Sequence, residues 1–141
     1  MKIQFALAVL ALAAGLAAAP VSKPRPKPEV AAQASAEEWL AVVDQGNYKE
    51  SWKMMAATFK ETVSRRRWNS TVQDLRAPLG KTLSRKLKSA ELTKDLAGAP
   101  DGEYVVLKFD TDFENKSNVV ETVTPMRESD LQWRVSGYSL K

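Results

Sequence analysis

The sequence predicts an α+β domain: three N-terminal helices packed on one face of a curved four-stranded antiparallel sheet. Three observations carry this. Apolar residues recur at helical spacing from about Ser35 to Ala77. From Lys81 onward the period changes to two. Clusters of Gly, Pro, Asn and Asp then cut the second half into four runs. Helices followed by strands are the pattern of α+β folds, in which the helices cover one sheet face.

The first helix is expected to start at Ser35, where Ser35 and Glu38 have the spacing of a capping box. Trp39, Leu40, Val42 and Val43 supply its apolar side, and Gly46 stands where a left-handed terminator belongs. Asn47, with Glu50 three residues on, opens the second helix. Tyr48, Trp52, Met55 and Phe59 fall on one stripe of that helix. Ser64 opens the third, with Val63 and Trp68 spaced as a hydrophobic staple. Trp68, Val72, Leu75 and Leu79 repeat the stripe until Pro78 and Gly80 end it.

The strands are expected over about 81–93, 103–113, 119–126 and 131–140. Leu83, Arg85 and Leu87 share one side of the first. In the second, Val105, Leu107, Phe109 and Phe113 oppose Tyr104, Lys108, Asp110 and Asp112. Glu121 lies between Val119 and Val123 in the third. Leu131, Trp133 and Val135 alternate with Gln132, Arg134 and Ser136 in the last. Short connections make the four strands an antiparallel meander.

Ahead of this domain the chain has two further segments. Residues 1–19 read as a cleavable signal peptide: Lys2, then the unbroken apolar run Phe5–Ala19, then an A-x-A site at Ala17–Ala19. Pro20 after the site makes cleavage after Ala17 an alternative to cleavage after Ala19. The run is short and alanine-rich for a retained span, which needs about 20 apolar residues, so no stable membrane span is expected after cleavage. Residues 20–34 read as a basic, Pro-rich linker; PVSKPRPKP over 20–28 favours extended backbone. The single α+β domain is then 35–141, and the protein is expected in the periplasm or secreted.

Composition narrows the chemistry. The 141-residue chain contains no cysteine and no histidine. Thiol catalysis, disulfides, and the commonest general base and transition-metal ligand are therefore excluded. No cofactor and no metal is expected. The net charge of +4 is mild, and nucleic acid is not an expected partner.

Several stretches carry a resemblance: EEWLAVVDQGNYKESW (37–52), PLGKTLSRKLKSA (78–90), GAPDGEYVVLKFDTDFENK (98–116), ETVTPM (121–126) and WRVSGYSLK (133–141). They resemble an uncharacterised family of secreted bacterial proteins, domain of unknown function 4019. The helix–sheet order also resembles the nuclear transport factor 2-like (cystatin-like) fold, in which helices close a cone formed by the sheet. That fold hosts isomerases, dehydratases, transport factors and binding modules, so the resemblance implies a shape and not an activity.

Candidate site residues follow from the sheet phase. Arg85 and Glu121 fall on the expected inner face. There an unpaired charge is costly, so they are candidates either for a ligand site or for a structural ion pair. Tyr104 and Trp133 are further ligand-binding candidates, since aromatics line apolar pockets. Trp39, Trp52 and Trp68, at helical spacing, are expected in the core. Arg65, Arg66 and Arg67, at a helix start, could hold an anion or form a solvated face. Catalytic residues are not assigned.

The expected function is a non-catalytic envelope module binding an unknown envelope protein or small molecule. One alternative is a small isomerase- or dehydratase-like enzyme with Glu121 as a buried base and Tyr104 or Tyr138 as hydrogen-bond donor. Another is a homodimeric interaction module.

Overall fold

The computed structural model describes residues 14–141. Most of the expected leader lies outside them. Residues 14–27 form no regular element. Four helices follow: α1 (Pro28–Asp44), α2 (Tyr48–Lys53), α3 (Ala57–Thr62) and α4 (Arg65–Arg76), the last continued by a 3-10 turn over Ala77–Leu79. Four strands complete the chain: β1 (Thr82–Thr93), β2 (Tyr104–Phe113), β3 (Lys116–Arg127) and β4 (Trp133–Leu140). They form one antiparallel sheet in the order β1-β2-β3-β4. The expected α+β class and four-stranded meander are therefore present. Among the described residues no helix is long and apolar enough to cross a membrane.

The helical half corrects the sequence in three places. Helix α1 begins at Pro28, not Ser35, with Pro in the first turn where its missing N–H is no loss. Its inward stripe starts on Ala32 and Ala36 before reaching Trp39, Leu40 and Val43. Ser35 is not a cap: its hydroxyl donates to the Trp133 carbonyl at 2.6 Å and ties α1 to β4. The expected linker thus becomes helical from Pro28.

The second expected helix is two short ones. The chain breaks at Ala56, whose extended backbone donates its N–H to the Val135 carbonyl at 2.9 Å. The first N–H of α3, at Ala57, is taken by the Glu128 carboxylate at 3.0 Å. Sheet and hairpin contacts therefore override an unbroken apolar stripe. Asn47 does cap α2, and Ser64 caps α4, accepting from the Arg67 amide at 3.2 Å.

On α4 the inward positions are Trp68, Val72 and Arg76, while Leu75 is exposed. The stripe runs through a buried arginine because that arginine has partners in the sheet. At the other end of the chain, Leu131 lies outside β4. It sits in the hairpin turn before it, exposed, at φ +67°.

Helix α1 lies across all four strands. The register aligns Ala90, Leu107, Val123 and Tyr138 across the sheet, and all four belong to or pack on the main core. Aromatic rings fill the space between the layers. Trp39 stands edge-on to Tyr138 at 5.2 Å and 5.9 Å from Trp68, and Phe59 is edge-on to Trp68 at 5.6 Å. The indole N–H groups of Trp39, Trp52 and Trp68 donate to the Ser51 carbonyl, the Val63 carbonyl and the Ser51 hydroxyl. Trp39 and Trp68 are core, as their spacing predicts, while the half-buried Trp52 packs against that core.

Candidate functional site

Arg85 and Glu121 do meet. In the register Arg85 faces Thr111 and Phe109 faces Glu121, which puts both charges on the helix-covered face one step apart. The Arg85 Nε donates to Glu121 Oε1 at 2.7 Å. Thr111 donates its hydroxyl to the same oxygen at 2.6 Å. Tyr138 donates to the other oxygen, Oε2, at 2.5 Å. Glu121 is 0% exposed, so a partnered carboxylate is the form that the interior tolerates.

Beyond Thr111 and Tyr138, three more residues join the Arg85–Glu121 pair read from the sequence. Asp44, the last residue of α1, accepts two hydrogen bonds from Arg85, at 2.8 and 3.0 Å, in a forked pair. Arg76 donates to Asp44 at 2.8 Å, to the Thr82 hydroxyl at 3.0 Å and to Tyr138 at 3.4 Å. Thr82 donates in turn to Asp44 at 3.0 Å. The Arg76 guanidinium lies over the Phe113 ring, 4.9 Å from its centroid, beside its unpartnered Nε. A signal for Asp44 exists in the sequence. An acid at a helix C-terminus opposes the macrodipole unless cations meet it, and α1 has no basic residue in its last turn.

The cluster contains two guanidinium and two carboxylate groups, so its formal charge cancels. The protonation states follow. Burial alone would raise the Asp44 carboxyl, but the Arg85 and Arg76 hydrogen bonds outweigh it and hold the group below its ordinary value. Burial disfavours the Arg85 charge, and Asp44 and Glu121 more than restore it. Burial first, and then the Glu121 charge, push the Tyr138 hydroxyl well above the ordinary tyrosine value. Tyr138 therefore stays protonated and donates. The arrangement can lock α1, α4, β1, β3 and β4 together. It leaves no Glu121 oxygen without a donor.

The other expected site residues lie elsewhere. Tyr104 is buried and donates its hydroxyl to the Pro100 carbonyl at 2.7 Å, closing the β1–β2 loop. Arg65, Arg66 and Arg67 are exposed and make no ion pair among the described residues. Trp133 is half-buried and lines a different feature, a groove of about 720 Å³ between the start of α1, the end of α2 and the β3–β4 hairpin. Leu131, Met54, Arg25, Arg127 and Arg134 share it. The sequence singled out Trp133 but not its groove neighbours. They come from three separate segments that only the fold assembles.

No curated protein matches this sequence. The family model described as a protein of unknown function (DUF4019) matches residues 35–138, from the middle of α1 to the end of β4. The chain belongs to that family.

Proposed function

We propose that the protein is an exported bacterial envelope module, non-catalytic, which binds a small molecule or protein partner at its surface and not between helices and sheet. The observation that carries this reading is the state of Glu121: fully buried, with Arg85, Thr111 and Tyr138 occupying both oxygens. A general base needs an oxygen within reach of a substrate proton. Glu121 has no such oxygen, and the stacked rings of Trp39, Trp68 and Tyr138 fill the space beside it. The isomerase-like alternative is thereby disfavoured. The resemblance to a nuclear transport factor 2-like shape supports a binding scaffold equally well.

Export rests on the apolar run Phe5–Ala19 and the small residues at its end. The domain division 1–19, 20–34 and 35–141 remains the proposed plan, with the structured part extending back to Pro28. A second reading has its own observation. Strand β1 is a 12-residue edge with Leu83, Leu87 and Leu92 exposed, an edge on which a second copy could pair.

The test is mass spectrometry of the protein purified from its native envelope, under native and denaturing conditions. The reading expects a mass that begins after Ala17 or Ala19, and a non-covalent companion that denaturation removes. A chain that retains its leader and has neither a bound molecule nor a cellular crosslinking partner would contradict it.

A further inference from the structure

The groove beside Trp133 has a chemical character of its own. Its apolar wall is Trp133, Leu131, Met54, Pro26 and Pro28, the last being the first residue of α1. Its volume of about 720 Å³ falls in the range of small-molecule sites, roughly 300–1,000 Å³. Over these walls stand three guanidinium groups with donors to spare. Among the described residues Arg127 uses only Nη1, toward Glu103. Among them Arg134 also uses only Nη1, toward Glu128 and Asp130. Arg25 makes no ion pair or hydrogen bond among the described residues. A guanidinium carries five N–H donors, so most of this capacity is unspent. Lys27, the residue capping α1, gives no side-chain acceptor, and the positive end of that helix opens at the same place. Two acids also line the groove. Asp130 is bound to Arg134, and Glu38 is exposed on the rim.

Leu131 is the independent observation. Its φ of +67° is a conformation that a branched apolar side chain adopts only against strain. Its side chain is nonetheless 53% exposed and belongs to neither core cluster among the described residues. The hairpin turn holds this conformation, with the Leu131 amide on the Glu128 carbonyl and the Glu128 amide on the Gln132 carbonyl, and it presents the apolar side chain to the groove.

We propose that this groove binds a single-chain amphipathic anion, with a carboxylate or phosphate head on the arginines and an apolar body against Leu131, Trp133 and Met54. This deepens the surface-binding reading above and rests on it. The arginine forks suit a planar or tetrahedral oxyanion. The apolar wall selects a hydrocarbon body over a free inorganic anion.

The experiment uses the mature chain, with tryptophan fluorescence and 8-anilinonaphthalene-1-sulfonate displacement as readouts. Dodecanoate and dodecyl phosphate are titrated below their micellar concentrations, and dodecyltrimethylammonium is the opposite-charge control. The proposal expects saturable binding of both anions, weakened by salt, and none of the cation. Leu131→Gly relieves the backbone strain, so it folds at least as well as the parent, and it should weaken dodecanoate binding roughly tenfold by removing one apolar contact. Arg25→Gln, on an exposed segment, should weaken it severalfold and flatten the salt dependence. Unchanged binding in Leu131→Gly, equal binding of the cation, or binding only to phosphatidylglycerol vesicles and not to the monomeric amphiphiles would each overturn the proposal. Such a failure would leave the surface-binding reading standing if the envelope-purified protein still carried a companion.

Discussion

Arg85 and Asp44, 41 residues apart in sequence, form a forked pair at 2.8 and 3.0 Å that joins the end of α1 to the edge strand β1. The same guanidinium reaches Glu121 through Nε, so one side chain bridges two carboxylates on two different elements. Only arginine has the donors and the planar geometry for this.

Replacing Arg85 tests the bridge. Arg85→Ala leaves Glu121 and Asp44 without their main cation, and breaking a buried pair in this way costs about 3–5 kcal/mol. Arg85→Lys keeps the charge but cannot fork, and should still cost about 1–3 kcal/mol for the donors it loses. Urea unfolding with an unchanged m-value is the check.

Acid stability should depend on Asp44. Its folded value lies below the ordinary 3.8, so its contribution is complete above that pH and is lost as pH falls through the folded value. Asp44→Asn should be less stable at neutral pH and should show a flatter acid limb. Thermal melts between pH 6 and pH 2 read this directly.

The alkaline limb should report Tyr138. Its folded value lies above the ordinary 10.0. Below pH 10 its contribution is complete. As pH rises further the unfolded chain ionises first, and the contribution is lost on the way to the folded value. Absorbance at 295 nm should show Tyr138 ionising only as the protein unfolds, and Tyr138→Phe should shrink that step to the share of the buried Tyr104.

Leu131→Gly should raise stability by about 1 kcal/mol, because glycine takes a positive φ without the penalty a branched residue meets. A higher melting temperature is the expected outcome, and a lower one would mean that the Leu131 side chain contributes packing to the fold.

Ser51→Ala should cost about 1–3 kcal/mol, because the buried Trp68 N–H would lose its acceptor. The loss should appear in denaturant unfolding together with a shift in tryptophan emission.

Much of the fold was legible in the sequence because the strands alternate and the turns carry strong breakers. Asn47 and Ser64 cap helices as their side chains suggest. What escaped was set by partners far away in sequence. Helix α1 starts early because Ala32 and Ala36 pack as small residues that carry little periodic signal. The break at Ala56 answers to Val135 and Glu128. In the cluster, Arg85 and Glu121 stood out because charge interrupts an apolar alternation. Arg76 did not, since an arginine near a helix C-terminus is unremarkable on dipole grounds. Leu131 continued the alternation of β4 on paper, and only its backbone angle separates it from the strand.

The central claim is that Arg85 and Glu121 serve the fold and not a ligand. A double-mutant cycle with Arg85→Met and Glu121→Leu, read by urea unfolding, tests it most directly. The account predicts that each single variant loses about 3–5 kcal/mol and that the double variant loses far less than the sum, because an apolar pair of similar volume can replace a buried ion pair. Single variants that are neutral or more stable than the parent would contradict it, as they would if these charges were held in place for a ligand at the expense of the fold.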